Sequence, residues 1–408
     1  MKKSILVIFL PIFLLGHNLN ELVDLSLKNQ LIDSYKYDTD SIKDEYESVK
    51  SGYYPKVDLA ATYSYTDEET ASVPKDGTKS SASVNFILYD GNKRSTTFSK
   101  YRSNIKSSQE SLTSSKNQIA LDVTSYYFNY LALLAKKEAK LKEIDQLNAQ
   151  KSRLSKFLEV GSATKDEVEK ITSRVESENV NLHSIELDLQ TILFNLEYIT
   201  GTKVVISQGS NIKELANKIE ESNRADIKAL EYNVKAQLDN AKIEKSAYLP
   251  TVTLDNTYTN YDYNYDNKAY ESIDDQNIFS VNMKWNIFAF GETKNRYESQ
   301  YKKYLSLKSR YEYEKNRANT DLQLAQRAYE IAKLKVKSAQ LSLKAAASAY
   351  EVIKSKYENG LIENVAYLES LSEKYDAISL LEFAKYDLEI KRANIIYHSG
   401  ENIKDYIQ

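Results

Sequence analysis

Short stretches of the chain alternate apolar with polar or small residues, the pattern of a strand that has one apolar face. In one stretch Val57, Leu59, Ala61 and Tyr63 occupy every second position, and another alternates from Phe279 to Ile287. Successive side chains of a strand point to opposite faces, so a period of two predicts β-structure. Each stretch has about ten residues, which is the length that a tilted strand needs to cross a bilayer.

The segments that separate these stretches contain very few helix breakers. No glycine or proline occurs between Gly91 and Gly161, or between Gly291 and Gly360. Within the first segment, apolar residues from Ile105 to Leu133 recur at intervals of three, four or seven, the spacing of a coiled coil. Gly161 and Gly360 are therefore predicted to lie at the tips of two helical hairpins. The predicted helices are 93–157, 164–199, 224–247 and 292–357.

The chain contains an internal duplication. Residues 50–63 return as residues 245–258 with eight of fourteen positions identical, at an offset of 195. Farther along, Gly161 corresponds to Gly360, at an offset of 199. A repeat of this length is a duplicated fold unit, so the architecture must have two-fold internal pseudo-symmetry. We expect the four-residue difference between the offsets to lie in a surface loop between the two strands of each copy.

The two copies together predict four strands per chain. Four strands cannot close a barrel, and open sheet edges do not occur in hydrocarbon. Two chains would supply eight strands and three chains twelve, and the polar inward set, which includes Asp58 and Asn282, favours the wider, water-filled option. A soluble sandwich is the alternative for a single hairpin, but the rest of the chain offers no compensating apolar sheet. The residues predicted to face lipid are Val57, Leu59, Val84, Phe86, Val281, Met283, Trp285 and Ile287.

The composition indicates an exported protein. Lys2 and Lys3 precede an apolar run from Ile5 to Leu15 that is too short to span a bilayer. We therefore predict a signal peptide at residues 1–16, with an uncleaved anchor as the alternative. The chain has no cysteine, 33 tyrosines and a net charge of −3. Tyrosine suits interfaces between apolar and wet surroundings, and the small net charge indicates no nucleic-acid partner.

The sequence offers no catalytic constellation. His17, His183 and His398 are its only histidines, and we expect them to be surface or packing residues. No glycine-rich phosphate loop is present, so any nucleotide hydrolysis must come from a partner. We therefore expect neither an enzyme nor a cofactor or metal site.

Several motifs resemble one protein family in their order and spacing. Lys-Ser-x-Tyr-x-Pro stretches at 50–55 and 245–250 lead into the strands, and the strand-to-helix junctions read Leu88-Tyr-Asp-Gly-Asn92 and Ile287-Phe-Ala-Phe-Gly291. The glycine-tipped hairpins and the helix end at Gly400 follow in the same order. Together these motifs resemble the TolC family of outer-membrane efflux proteins over essentially the whole mature chain.

The resemblance implies a homotrimer whose fold is mainly α with a small β part. Long coiled-coil helical hairpins would form an α-barrel, and four strands per chain would contribute to a trimeric twelve-stranded outer-membrane β-barrel. The implied location is the outer membrane of a Gram-negative cell, with an extension into the periplasm.

The implied function is a passive exit duct of a tripartite efflux or type I secretion system. The implied partners are outer-membrane lipid, a periplasmic adaptor (membrane fusion) protein and an inner-membrane RND-type or ABC-type transporter. The alternative class is a periplasmic coiled-coil adaptor or scaffold without a pore.

The resulting domain plan has seven parts. They are a signal peptide (1–16), N-terminal periplasmic helices (17–53), a first membrane β-hairpin (54–90), a first long helical hairpin (91–201), an equatorial junction with a short helix (202–248), a second membrane β-hairpin (249–290), and a second long helical hairpin with a short C-terminus (291–408).

The resemblance also implies a periplasmic constriction just past the second hairpin glycine. Acidic residues six and nine positions beyond that glycine line it in the family; Glu369 matches the second position, whereas Ala366 occupies the first. Glu167 in the first copy and Glu363 nearby complete the candidates, and the alternative is that all three are ordinary solvated helix charges. The hairpin tips are the candidate docking surface for an adaptor, because their apolar residues are costly to expose. The tip candidates are Val160, Gly161, Gly360, Leu361 and Ile362.

Overall fold

The computed structural model describes residues 16–215 and 219–408 of the chain. The predicted signal segment 1–16 therefore lies outside the described residues, apart from Gly16, and so do three residues of the predicted junction 202–248. The described helices are α1 (Leu19–Ser26), α2 (Gln30–Ser51), α3 (Lys93–Glu159), α4 (Lys165–Thr200), α5 (Ala225–Lys245), α6 (Glu292–Glu358) and α7 (Asn364–Ser399). The strands are β1 (Lys56–Tyr65), β2 (Asp76–Tyr89), β3 (Thr251–Asn264) and β4 (Asp275–Lys284). Over these two ranges, none of the helices has the length and apolar character required to cross a membrane.

The internal duplication is visible in the helix boundaries. Helices α3 and α6 have 67 residues each, and α4 and α7 have 36 residues each. Both long helices of the second copy begin and end 199 residues after their counterparts in the first. At 1.5 Å per residue, α3 and α6 are each ~100 Å long. The observed helix ends lie within two residues of the predicted ones, and the mainly helical fold with a two-fold repeat is confirmed.

The four strands form one antiparallel sheet in the order β1-β2-β3-β4. The central pair, β2 and β3, joins the two copies of the repeat, so both hairpins contribute to a single surface. Within the described chain, β1 and β4 each have a partner on one side only.

The four-residue difference between the copies lies in a strand, and the expectation of a longer loop is wrong. Loops 66–75 and 265–274 have the same length. Strand β3 has 14 residues where β1 has 10, and its last residues, from Tyr261 to Asn264, pair with residues 76–79 of β2. In the strand, the backbone groups of these additional residues can hydrogen-bond to β2, whereas in a loop they would bond to water.

Strand β4 ends at Lys284, so the predicted alternation up to Ile287 is wrong at its end: Trp285 and Ile287 lie beyond the strand. The neighbouring strand β3 is preceded by Pro250, which has no backbone N–H with which to continue the ladder. The indole N–H of Trp285 donates instead to the carbonyl oxygen of Tyr248, at 3.0 Å.

The described residues form two compact units. The helical unit contains the hydrophobic core of α1, α3, α4 and α7, in which Leu22, Phe128, Leu196 and Ile396 are buried. Because α1 packs into this core, the N-terminal segment is anchored by the same residues that join the two helical hairpins. The helical unit comprises the described residues up to 34, 112–225 and 315–408, and the sheet unit comprises residues 35–111 and 226–314.

Left-handed glycines end α4 and α7. Gly201 and Gly400 have φ angles of 70° and 91°, and their N–H groups donate to the carbonyl oxygens of Glu197 and Ile396. Gly400 also lies against the junction, because a Cβ built there would be 2.3 Å from the carbonyl carbon of Asn223. At Gly201 no described atom lies within 4 Å of such a Cβ. The two repeat-equivalent glycines therefore differ in their surroundings.

We predict that Gly400→Ala lowers the apparent melting temperature of the detergent-solubilised protein more than Gly201→Ala does. Both substitutions place a Cβ on left-handed backbone, at a cost of roughly 1–2 kcal/mol. Only Gly400→Ala adds a backbone clash with Asn223. Circular dichroism of the two variants and the parent chain measures the difference, and equal shifts would contradict the close approach at Gly400.

Candidate functional site

One face of the sheet carries apolar residues from all four strands. The register places Val57 opposite Val84, and Leu254 opposite both Phe86 and Val281. Six of the eight residues predicted to face lipid therefore share this face, which we call the apolar sheet face, and the other two lie beyond β4. The six are Val57, Leu59, Val84, Phe86, Val281 and Met283.

The contribution of β3 to the apolar sheet face was missed in the sequence. Val252, Leu254 and Tyr258 lie on it, opposite Met283, Val281 and Asn277. Asn256 interrupts the alternation of β3, which conceals the apolar positions from a search for a period of two. The duplication offered the missing signal, because Val252 and Leu254 correspond to Val57 and Leu59 at the offset of 195.

The opposite face of the sheet carries hydrogen-bonded polar side chains. The carboxylate of Asp255 on β3 accepts from the amide groups of Asn85 on β2 and Asn282 on β4, the latter at 2.9 Å. The hydroxyl of Thr253 donates to the same carboxylate at 3.0 Å. These groups link three strands on a face that suits water rather than hydrocarbon.

The hairpin tips combine a forced turn with exposed apolar side chains. Gly161 and Gly360 have φ angles of 78° and 70°, which return the chain between the paired helices. Next to them Val160 and Leu361 are 73% and 72% exposed, whereas Ile362 is half-buried. Each tip thus presents a large apolar side chain directly beside its glycine.

The three acidic candidates occupy different environments. Glu167 caps α4, because its carboxylate accepts from the backbone N–H and the hydroxyl of Thr164 at 2.9 and 3.1 Å. Glu363 is the N-cap residue of α7, and Glu369 is exposed on the same helix between the buried Tyr367 and Ser370. Glu369 and Glu363 make no ion pair with any residue in the described ranges, which leaves both carboxylates available to solvent.

A cluster of polar and aromatic side chains joins α3 to the second hairpin near the tips. The amide group of Gln150 on α3 donates to the hydroxyl of Tyr357 on α6 and lies 3.4 Å from the side-chain oxygen of Asn364 on α7. Tyr357 stacks on Tyr367 with ring centroids 4.8 Å apart, and the guanidinium of Arg153 lies over the Tyr357 ring. We call these five residues the tip cluster. Burial raises the pKa of Tyr357 above its ordinary value, so its hydroxyl stays protonated.

Farther from the tips, a group of buried charges joins α3, α4 and α7. The ammonium of Lys140 lies 2.6 Å from Glu143 and 2.7 Å from Glu178, which are 1% and 3% exposed. Arg174 pairs with Glu178 at 3.1 Å and donates to the hydroxyl of Ser372 on α7. We call these residues the buried ion cluster. The sequence alone does not reveal this cluster, because charged helix residues are usually solvated and only the packing of the helices brings these residues together.

The charges of the buried ion cluster depend on one another. Burial raises the pKa of Glu143 despite its hydrogen bond with Lys140. Burial acts in the same direction on Glu178, but hydrogen bonds from Lys140 and Asn181 outweigh it and lower the pKa of that carboxyl. For Lys140, burial favours the neutral amine, and the two carboxylates outweigh it, so its pKa is raised. The cluster holds its helices together as long as every member keeps its partner.

The family of the chain is shown by comparison with known proteins. A family model described as outer membrane efflux protein matches residues 22–202 and again residues 218–401. The two matches cover most of the chain, one in each copy of the repeat, so the chain belongs to the outer membrane efflux protein family. This confirms the resemblance to TolC-like proteins and the predicted location in the outer membrane with an extension into the periplasm. No curated protein matches the sequence closely enough to count as a relative.

Solved structures show the same fold at low sequence identity. The outer membrane protein VceC of Vibrio cholerae is 15% identical with a TM-score of 0.82, over 94% of this chain and 96% of that one. The Campylobacter jejuni CmeC outer membrane channel is 18% identical with a TM-score of 0.83, over 95% and 86%. The Neisseria gonorrhoeae MtrE outer membrane channel, in its open state, is 13% identical with a TM-score of 0.80, over 94% and 89%.

We predict that Lys140→Ala destabilises the protein strongly, whereas Lys137→Ala has little effect. Removing the ammonium of Lys140 leaves two buried carboxylates without their shared cation, which costs about 3–5 kcal/mol. Lys137 pairs with Glu186 at 2.8 Å on the surface, where water replaces the lost partner. Thermal unfolding in detergent compares the two variants, and a Lys140→Ala protein as stable as Lys137→Ala would contradict the energetic role of the cluster.

Proposed function

We propose that the protein is the passive exit duct of a tripartite efflux or secretion system. The observation that carries the proposal is a sheet with one apolar face, one polar face and two open edges, attached to helices ~100 Å long. A lipid-facing sheet requires closure, because unpaired backbone groups are not tolerated in hydrocarbon. Membership of the outer membrane efflux protein family supports the same conclusion.

Three copies of the chain satisfy the requirement for closure. Each contributes four strands, and twelve strands enclose a lumen wide enough for water, which matches the polar face around Asp255. Eight strands from a dimer would fill their interior with side chains and leave no path. The proposed assembly is therefore a homotrimer with outer-membrane lipid around its apolar sheet face.

The duct is proposed to be closed at the hairpin tips and opened by its partners. The tip cluster joins α3 to α6 and α7 through hydrogen bonds and ring stacking. Separating these helices costs little free energy, because water can replace the lost hydrogen bonds. The buried ion cluster is much harder to separate because its charges are desolvated. We therefore propose that the duct opens when the part of the second hairpin between its tip and the buried ion cluster moves away from α3. The buried ion cluster stays intact during this movement.

The tips are also the proposed docking surface for a periplasmic adaptor, which connects the duct to an inner-membrane transporter. Val160 and Leu361 are exposed at the turns and would be shielded by such a partner. Gly161, Gly360 and Ile362 shape the same surface. The duct itself is proposed to lack enzymatic activity, so energy for transport comes from the transporter.

Fractionation and electrical recording test the proposed function together. The protein is expected in detergent extracts of the outer membrane as a trimer by analytical ultracentrifugation, and to conduct ions in planar lipid bilayers. A buffer-soluble monomer without conductance would instead favour a periplasmic scaffold and would overturn the proposal.

We predict that Glu369→Ala reduces the cation preference of the reconstituted channel. Glu369 is the leading candidate for the constriction because its carboxylate is exposed on α7, and three copies would attract cations at close range. Glu363 is the second candidate for the constriction. Glu167 is the third, because its carboxylate already accepts a hydrogen bond as the cap of α4. Reversal potentials in a salt gradient measure the preference. Glu169→Ala, which removes an exposed carboxylate from the first hairpin, serves as the control, and equal behaviour of the two variants would place the constriction elsewhere.

We predict that Tyr357→Phe raises the frequency or duration of channel opening. The substitution keeps the ring that stacks on Tyr367 and removes the hydroxyl that accepts the hydrogen bond from Gln150. Single-channel recordings measure the effect, with Tyr313→Phe as control because that side chain is 67% exposed on the same helix. If the Tyr357→Phe channel opens as often and for as long as the parent channel, the tip cluster does not hold the channel closed.

A further inference from the structure

The polar face of the sheet carries two tyrosine rings at the end where loops 66–75 and 265–274 connect the strands. Strands β2 and β3 pair without a break over this part of the sheet. Alternation along β3 therefore places Tyr261 and Tyr263 on the same face as Asp255. The helices join the strands at the opposite end of the sheet. We call Tyr261 and Tyr263 the outer tyrosine pair.

A glycine on the neighbouring strand leaves room for one of these rings. Gly77 of β2 lies directly opposite Tyr263 and is buried, with a φ angle of 148°. A Cβ at this position would lie 2.9 Å from the ring of Tyr263 and 2.3 Å from the carbonyl oxygen of Asp262. Only glycine is compatible with both this φ angle and this close approach. The ring of Tyr263 is therefore held against β2.

The other ring of the pair already contacts a cation. The rings of Tyr261 and Tyr263 have their centroids 5.2 Å apart, and both side chains are half-buried, so part of each ring is accessible. The ammonium of Lys79, directly opposite Tyr261 on β2, lies 5.8 Å from the centroid of the Tyr261 ring. An ammonium at this distance is attracted by the electron-rich face of the ring. Lys79 thus makes with Tyr261 the contact that an external organic cation would make.

The same end of the sheet has a large excess of negative charge. Residues 65–76 and 262–275 contain nine carboxylate side chains and two lysines. Glu69 brings the two loops together, because its carboxylate accepts from the backbone N–H groups of Asp266 and Asn267 at 2.8 and 2.6 Å. None of the nine carboxylates forms an ion pair with a described residue. Uncompensated negative charge at the mouth of a channel raises the local concentration of cations.

Two lysines at this end lie on tyrosine rings rather than beside these carboxylates. The ammonium of Lys75 lies 5.6 Å from the centroid of the Tyr65 ring, an arrangement like that of Lys79 and Tyr261. The carboxylates attract a cation to this end of the sheet, and the rings supply the contact with it. A quaternary ammonium group gains most from such a contact, because its methyl groups give up little hydration when they touch a ring.

We propose that the outer tyrosine pair binds organic cations, above all quaternary ammonium groups, as they leave the lumen. The proposal rests on the proposed function, in which the polar sheet face lines the lumen and the helices extend into the periplasm. The loop end of the sheet is then the extracellular end, and three copies of the chain place six tyrosine rings around it. The carboxylates attract the cation, the rings of Tyr261 and Tyr263 contact it, and Lys79 competes with it for the ring of Tyr261.

Lys79 acts as an internal competitor, so its removal should strengthen binding. Lys79→Gln uncovers the face of the Tyr261 ring and removes a positive charge beside it. Lys268→Gln removes a positive charge from the loop at the same end, but no tyrosine ring of the described chain lies under Lys268. A tighter site in Lys79→Gln than in Lys268→Gln therefore separates competition for the ring from a general change in the electrostatic field.

Saturation-transfer-difference NMR of choline with the trimer in a non-ionic detergent measures this binding. Choline carries a quaternary ammonium group, and dimethylbutanol is its uncharged analogue of nearly the same shape. We expect dimethylbutanol to bind about five-fold more weakly than choline.

Variants of the tyrosines locate the choline site. The double variant Tyr261→Leu with Tyr263→Leu should weaken choline binding about five-fold, and Lys79→Gln should tighten it at least about two-fold. Tyr258→Leu is the matched control and should leave choline binding unchanged, because Tyr258 lies on the apolar sheet face of the same strand.

The outcomes separate the cation site from the proposed duct. Equal binding of choline and dimethylbutanol, or choline binding that neither the tyrosine double variant nor Lys79→Gln changes, overturns the site, while the duct remains if the same trimer conducts in planar bilayers. A monomer that does not conduct overturns the proposed function and the site with it. If the double variant fails to form trimers, Lys79→Gln decides alone: unchanged or weaker choline binding contradicts competition at the Tyr261 ring.

Discussion

In hydrocarbon, every backbone N–H and C=O group must find its hydrogen-bond partner within the protein. Within the part of the chain that the structure describes, β1 and β4 each keep one unpaired edge, and water cannot satisfy these edges within a membrane. The apolar sheet face, which includes the exposed Leu59 and Met283, is the surface that we propose to face lipid. In the proposed function, the sheet alone therefore requires assembly with other copies of the chain.

The helices also have a face that is covered in one copy of the repeat and open in the other. In the first copy of the repeat, the face of α3 around Phe128 is covered by α7 of the same chain, whereas the corresponding face of α6 is open. The two copies of the repeat also differ in their acidic residues near the tips. Glu167 of the first copy caps a helix, whereas Glu369 of the second copy makes no ion pair with the described residues.

Much of this architecture was predictable, because local rules dominate it. The absence of glycine and proline over long segments set the ends of α3 and α6, and Gly161 and Gly360 marked the hairpin tips. The extra residues of β3 were not predictable from that chain segment alone, since their role depends on pairing with β2. The buried ion cluster was hidden for a similar reason: Lys140, Glu143 and Glu178 look like solvated helix charges until three helices pack around them. The capping role of Glu167 was visible in the sequence as Thr164-x-x-Glu167 but was not recognised.

Electron cryomicroscopy of the protein extracted from the outer membrane would show directly whether the sheet closes with the sheets of other copies. We expect three copies, with β1 of each paired to β4 of the next in one closed twelve-stranded sheet and the apolar sheet face toward detergent or lipid. A particle in which the strand edges stay unpaired, or in which protein covers the apolar sheet face, would contradict it.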